Sequence, residues 1–588
     1  MSAIIRQVAS LGWNRLLVFF LAAWLVILVL VFLPFLNSQS QSVTDSGTAD
    51  RLKRVISDLE ILRKQNLELQ KIIKDINLGD LQSNQKQSLE KFKERLIKTE
   101  DQLVDPEKGY TNEKDDPNSQ YEITRRRVEN GVREWWYFSN SEIKKLKDHI
   151  NNVAPDLSNS INKILSLGAE HKRSLLHDID FLSEADGYAK WREKEAESLS
   201  NIVQERLRYL QNPTDCANAK KLICNINKGC GYGCELHHVV YCFMVAYGTQ
   251  RTLILKSKGW RYNKAGWETI FKPVSDTCTD PSGKSVKEWS GHPDAQVISL
   301  PIIDYVNPKP QFLPPAVPKD LALRLARLHG DPQVWWVGQF LKYLFRPQEA
   351  TERLLNEAAK SMSFVKPIVG VHVRRTDKIG TEASFHSIEE YMVSVEDYYD
   401  VLEMKEKDVI RRVYIASDDP KVITEARKKY PNYEILGDPQ VSMSAAVETR
   451  FTENSLKGII LDIHFLSQCD YLVCTFSSQV CRLAYEIMQN NYPDASARFR
   501  SLDDIYYYGG QNPHYYVAVL PHKAEGINEI DLKVGDLVGV AGNHWDGYSK
   551  GRNMRTNQLG LFPSFKIKNT VESVAFPTYS EINEKRDS

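Results

Sequence analysis

Between Pro367 and Val373 the chain reads Pro-Ile-Val-Gly-Val-His-Val, and at Arg374 it switches abruptly to Arg-Arg-Thr-Asp-Lys. A near-continuous apolar run of that length is a strand covered on both faces, the signature of a parallel sheet flanked by helices. Two other segments repeat the plan. Arg412 to Ala416 ends in Ser417-Asp418-Asp419, and Tyr471 to Phe476 ends in Ser477-Ser478-Gln479 ahead of an amphipathic helix from Val480 to Met488. All three strands deliver polar residues at their C-terminal ends, which is where doubly wound sheets hold their ligands.

The residue types at those ends select the ligand. There is no G-x-G-x-x-G and no Walker A sequence, so ordinary dinucleotide and P-loop readings fail. The Ser477-Ser478 turn offers hydroxyls and backbone N–H groups at a helix start, a ready anion site. Arg374 and Arg375 add permanently charged planar forks suited to phosphate. The set fits a nucleoside diphosphate whose charge is met by arginine, with no metal. The plainer alternative for the two arginines is a surface ion pair with Asp377.

The rest of the chain sets the context. At 588 residues it exceeds a single core, and 76 Lys+Arg against 76 Asp+Glu gives no bulk charge for nucleic acid. Hydrophobic residues at 42% exclude a mostly disordered chain. Leu16 to Leu33 carries neither charge nor proline, just long enough to cross a membrane, and no A-x-A pattern follows it. Arg6 and Arg15 precede it while the next basic residue is Arg51, which predicts a type II anchor: a cytoplasmic tail at 1–15, a span at 16–33 and a luminal remainder. All nine cysteines lie between Cys216 and Cys481, six of them at 216–278, a density that reads as luminal disulfides. Cys230 and Cys234 lack a second metal-ligand pair. A heptad runs from Leu52 (a: Leu52, Leu59, Asn66, Ile73; d: Val55, Leu62, Leu69, Ile76) within an expected coiled-coil stem at 50–104, which predicts self-association as a homodimer. Helical patterns return over 120–210 with a break at Pro155. Asp178-Ile-Asp180 falls among them and reads as a solvated helix face.

Beyond Tyr515 the pattern changes to short alternating strands with Gly-Asp and Asp-Gly turns, a small barrel over 515–570 similar in order to an SH3 domain. Val517 to His522 replaces the aromatic wall that polyproline ligands need. The module is either a stabilising appendage or a grip on a substrate. Residues 575–588 read as disordered.

His372-Val-Arg-Arg375 with Asp377, Lys378 and Glu382 resembles the first motif of the alpha-1,6-fucosyltransferases. Asp418-Asp419, Glu453 to Asp462, Ser477 to Arg482 and Ser501 to Tyr507 resemble the later ones, as do Cys224 to Cys234 and Trp260 to Tyr262. The likeness spans about 120–575. It implies an α/β, GT-B-like enzyme: a disulfide-rich open α/β domain at 215–355, a Rossmann-type domain binding GDP-fucose at 360–512, an N-terminal coiled coil and a C-terminal SH3-like barrel. The reaction it implies is inverting, metal-independent transfer of L-fucose from GDP-fucose to O6 of the innermost GlcNAc of an N-glycan, in the Golgi membrane. On that resemblance His372, Asp462 and Tyr262 contact guanosine, with Asp377 on the donor side. Arg374 and Arg375 meet the phosphates, and Gly231 and Ser478 line the diphosphate. Glu382 is the base, helped by Lys378. Asp304, Asp419, Gln479, Asp503, Asp504 and His544 face the acceptor. The implied disulfides are Cys216–Cys278, Cys224–Cys242, Cys230–Cys234 and Cys474–Cys481, leaving Cys469 free. Competing readings are a protein O-fucosyltransferase and an inactive luminal glycan-binding scaffold.

The chemistry agrees with these roles. Displacement at the sugar needs a base on the acceptor hydroxyl and a cation on the departing diphosphate. Glu382 follows Lys378 by four positions, so on a helical turn they share a face, and the ammonium keeps the carboxylate ionised. Asp418 and Asp419 equally suit a helix cap or a metal.

Overall fold

In the computed structural model of the protein, residues 116–150, 155–291, 293–376, 380, 384–446, 448–510, 514–543, 545–580 and 582 are described. The expected tail, membrane anchor and coiled-coil stem lie outside them, and no described helix is long and apolar enough to cross a membrane. The described residues pack as one unit.

Three helices lead: α1 (Ser119–Ile150), α2 (Pro155–Ala185) and α3 (Ala189–Gln211). Asp178 and Asp180 are exposed on α2, so no strand presents them to a metal. Glu122 of α1 is fully buried and pairs with Arg192 of α3 at 2.6 Å, which pins the first helix to the third.

The first α/β layer follows: β1 (Lys221–Asn225), α4 (Tyr232–Gly248), β2 (Thr252–Lys256), β3 (Val286–Glu288) and β4 (Val297–Ser299), an all-parallel sheet in the order β2-β1-β4-β3. Every residue of helix α4 except Cys234 is buried, Glu235, His237 and His238 included, so it sits inside the molecule with protein on every side. A short β5 (Val317–Pro318), then α5 (Lys319–Leu328), α6 (Pro332–Leu344) and α7 (Glu349–Ser361), lead to the second layer.

That layer contains β6 (Ile368–Val373), α8 (Ile388–Leu402), β7 (Arg412–Ser417), α9 (Lys421–Lys429), β8 (Glu434–Leu436), α10 (Pro439–Ser444), α11 (Glu453–Gln468), β9 (Tyr471–Cys474), α12 (Gln479–Met488) and β10 (Phe499–Ser501). All six residues of β6 are buried, as the apolar run requires. The strand order β10-β9-β6-β7-β8 is that of a Rossmann sheet, and its direction of winding reverses between β6 and β9.

Antiparallel strands β11 (His514–Ala518), β12 (Leu537–Asn543), β13 (Tyr548–Asn553), β14 (Leu559–Pro563) and β15 (Ile567–Asn569) form the C-terminal module around Val538, Val540 and Phe562. The chain then returns to the first layer, where β16 (Ser573–Val574) pairs in parallel with β5. The expectation of disorder from 575 is therefore corrected over 575–580; residues 581 and 583–588 lie outside the described residues. Phe576 and Tyr579 are about 5–6% exposed, packed on Tyr247 and, for Phe576, Trp336, and the Tyr579 hydroxyl donates to the Tyr247 carbonyl at 2.7 Å. Two aromatics three positions apart outweigh the charged residues that follow them.

Phe576→Ala is expected to destabilise the protein by ~3 kcal/mol, the usual cost of emptying an aromatic site. A thermal or denaturant melt that does not move would show the tail to be dispensable.

Candidate functional site

Strand register places the key groups. Val373 pairs with Ser417, so Arg374 and Asp418 leave their strands side by side. Val371 pairs with Val473 on the other flank, so Arg374 also emerges beside the Thr475–Ser478 turn. These are the two strands at which the sheet's winding reverses.

Asp418 is the anchor. It is buried, accepts from the backbone N–H groups of Arg375 (2.8 Å) and Thr376 (3.1 Å) and from the Thr376 hydroxyl, and pairs with Arg374 at 2.8 Å. One carboxylate thus fixes the loop and aims the guanidinium. Asp419, one residue on, accepts from the Lys421 N–H in the first turn of α9. In the fold Asp418 clamps the loop and Asp419 contacts the start of α9. Arg375 turns to the same side: it pairs with Glu425 at 3.3 Å and lies over the Phe385 ring at 4.8 Å. His372 is buried, and burial together with the Arg374 charge pushes its imidazole down to about 4, against the pull of Asp418, so it is neutral at physiological pH.

Helices from the two layers meet at the same place. A Cβ on Gly233, in the first turn of α4, would stand 2.9 Å from the Cβ of Gln479, the first residue of α12. Only glycine permits that approach. Each helix start follows a strand end and each is stapled: Cys224–Cys242 joins β1 to α4, Cys230–Cys234 closes the turn before α4, and Cys474–Cys481 joins β9 to α12. Cys216–Cys278 is the fourth bond, and Cys469 is free and buried. Two helix N-termini, each carrying about half a positive charge, therefore adjoin with Arg374 beside one of them. The buried Ser477 hydroxyl and His372 Nδ1 have no hydrogen-bond partner among the described residues.

Gln479 is held from behind. Its Oε1 faces Nδ1 of His237 at 2.9 Å, while Nε2 of His237 meets Glu486 at 3.0 Å and Tyr506 donates to Glu486 at 2.7 Å. Asp503 accepts from the Ser501 hydroxyl at 3.0 Å and faces the Ser477 N–H at 3.4 Å. Burial and the neighbouring Asp503 lift Asp504 to about 6.

Arg374, Gly231, Ser478, Gln479, Asp503 and Asp504 therefore lie along connected elements. Others sit apart. Tyr262 spends its hydroxyl on the Tyr232 N–H at 2.9 Å, capping α4, and its buried ring meets Phe451 edge-on at 5.1 Å. Asp462 is buried on α11, accepts from Tyr414 at 2.8 Å, and is raised to about 7 by burial. Asp304 is exposed and pairs with Lys228 at 2.8 Å. Asp377, Lys378, Glu382 and His544 lie outside the described residues. Among the described residues, Cys224, His238 and Cys242 could offer a metal three donors, but the two sulfurs are bonded to each other and only the imidazole remains. Sequence reasoning missed Gly233 and His237. Gly233 had a signal, as the glycine inside the Cys230–Cys234 turn; His237 had only its position beside the dense cysteines.

A family model described as alpha-(1,6)-fucosyltransferase N- and catalytic domains matches residues 5–507. The chain belongs to the alpha-(1,6)-fucosyltransferase family. It is 50% identical to the alpha-(1,6)-fucosyltransferase of Drosophila melanogaster over 97% of this chain and 98% of that one. The Caenorhabditis elegans alpha-(1,6)-fucosyltransferase is 42% identical over 78% and 80%. Among solved structures, fucosyltransferase NodZ from Bradyrhizobium is 12% identical, covering 45% of this chain and 92% of that one with a TM-score of 0.28.

For this fucosyltransferase, Asp418→Asn removes the charge that aims Arg374, and GDP affinity should fall by roughly tenfold or more, the size of one charged hydrogen bond. Asp419→Asn keeps a helix-start acceptor and should leave GDP affinity unchanged. Calorimetric titration of GDP against both variants checks the contrast.

Proposed function

We propose that the protein transfers L-fucose from GDP-β-L-fucose to O6 of the innermost, asparagine-linked GlcNAc of N-glycans, inverting the anomeric centre without a metal. The observation that carries this reading is the meeting of two helix N-termini at Gly233 and Gln479, next to a guanidinium aimed by a buried carboxylate. Such a place favours a diphosphate, and favours it more as the glycosidic bond breaks and the leaving charge grows.

In this reading Arg374, Gly231 and Ser478 hold the diphosphate, with His372 and Asp462 on the guanosine side, Tyr262 near them, and Arg375 and Asp377 supporting the donor. Glu382, kept ionised by Lys378, takes the proton from the acceptor hydroxyl as its oxygen attacks the fucose anomeric carbon, while the electron pair of the breaking bond leaves with GDP. Asp304, Asp419, Gln479, Asp503, Asp504 and His544 hold the glycan. The barrel is placed for a share in this: Gly542 of β12 lies 3.7 Å, measured from an added Cβ, from a carboxylate oxygen of Asp504.

The location proposed is the Golgi lumen, on a type II anchor at 16–33. A homodimer through the helical stem at 50–104 belongs to the same reading, on the heptad that begins at Leu52.

Incubation with GDP-fucose and a free biantennary N-glycan should yield fucosylated glycan, whereas a folded EGF-like peptide should not react; the reverse preference would favour protein O-fucosylation. Arg374→Ala should lower kcat by at least ~100-fold, as removal of a single oxyanion donor does. Glu382→Gln should bind GDP normally and transfer nothing. Asp504 accepts more strongly from sugar hydroxyls when ionised, and burial and the adjacent Asp503 push its carboxyl up to about 6. Acceptor KM should therefore rise as pH falls through about 6, and Asp504→Asn should abolish that limb of the profile.

A further inference from the structure

Three separate parts of the chain meet at one cation. The Arg500 guanidinium of β10 lies 4.5 Å from the Tyr137 ring of α1 and 4.6 Å from the Trp545 ring of the C-terminal barrel, and the two rings meet edge-on at 5.9 Å. Nη1 of Arg500 is buried without a hydrogen-bond partner among the described residues, so the aromatic faces take the place of water around that end of the charge. Trp545 itself holds a left-handed backbone, φ 54°, which a bulky residue adopts only when its surroundings enforce it.

What that conformation achieves is visible on the ring's other edge. Trp545 Nε1 donates to the Asp503 carbonyl at 2.8 Å. The Asp503 carboxylate in turn faces the Ser477 N–H at the start of the α12 turn and accepts from the Asp504 N–H at 2.7 Å. Beside this contact α1 presses the β12–β13 turn so closely that a Cβ on Gly547 would lie 2.5 Å from the Cβ of Phe138. A continuous path thus runs from a helix remote from the chemistry, through one cation between two rings, to the Asp503–Asp504 segment.

We propose that Tyr137, Arg500 and Trp545 form a joint that positions the Asp503–Asp504 segment and the β12–β13 turn for the acceptor glycan, coupling α1 and the barrel to acceptor binding far more than to donor binding. They are positioning residues, acting through Asp503. The proposal rests on the reading of Asp503 and Asp504 as the acceptor wall.

The test uses the full-length protein with Tyr137→Leu, Tyr137→Phe and Arg500→Met. Loss of one desolvated cation–aromatic contact should raise acceptor KM about tenfold in Tyr137→Leu, with donor KM and GDP Kd within about twofold of wild type. Tyr137→Phe keeps the ring and should behave as wild type. Arg500→Met should match Tyr137→Leu, and the double variant should be no worse than the stronger single one. Hydrogen exchange should quicken at 501–508 and 545–548 in Tyr137→Leu. Equal changes in acceptor and donor KM, or a Tyr137→Phe variant as impaired as Tyr137→Leu, would overturn the joint. If the wild-type protein binds no GDP, the donor-site reading falls instead, and the exchange arm still decides the joint: unchanged exchange at both segments refutes it.

Discussion

Two helix N-termini do not adjoin without a reason. Each carries a partial positive charge of about half a unit and several unpaired N–H groups, so bringing them together costs energy unless something negative sits between them. In this protein the starts of α4 and α12 come from different α/β layers and approach until only glycine fits at 233. The disulfides at Cys224–Cys242, Cys230–Cys234 and Cys474–Cys481 staple both strand–turn–helix units, so the cost is borne at folding and not at each encounter with a ligand. Electrostatic pre-organisation of this kind acts at the moment charge develops on a leaving group, because the dipoles have no further to move.

The interface behind that point is polar for a related reason. A wholly apolar contact between α4 and α12 would allow small slips, since apolar packing has no direction. His237, Glu486 and Tyr506 replace it with bonds of fixed geometry, all buried. The chain of partners ends at Gln479, so a group at the rim of the cleft is oriented from inside the core. The same division applies to the paired arginines. Arg374 is aimed by Asp418, whereas Arg375 is taken up by Glu425 and the Phe385 ring, so two neighbours of identical chemistry serve unlike purposes because their partners differ.

Much of this was legible in the residues. The run from Ile368 to Val373 could hardly be anything but a doubly covered strand, and the polar residues following β6, β7 and β9 marked the ligand end of the sheet. Helices over 120–210 followed from periodicity. What could not be read was any contact between distant segments: His237 and Gln479 are 242 positions apart, and nothing local to either announces the other. Asp418 looked like a metal ligand or a cap because a carboxylate after a strand suits several tasks, and only the positions of three neighbouring donors choose among them. The segment from 575 was misread because the burial of Phe576 and Tyr579 depends on Tyr247, more than 300 positions away. The assignment of roles to donor and acceptor residues came from family resemblance, which spacing alone does not supply.

The barrel shows how such a module can leave its usual trade. Its Val517–His522 stretch lacks the aromatic wall of a polyproline groove, and Val519 and Leu520 stand exposed there. Its ordered aromatic contact lies elsewhere, at Trp545, where the ring meets Arg500 and its N–H reaches the Asp503 carbonyl. A five-stranded sheet with a small core is a stiff support for one turn and little else. Joined to the catalytic layers through β16 on β5 at one end and Trp545 at the other, it is held at two separated points. That leaves it little freedom to rotate, and a module so restrained suits the presentation of fixed groups to a sugar better than the capture of a flexible peptide.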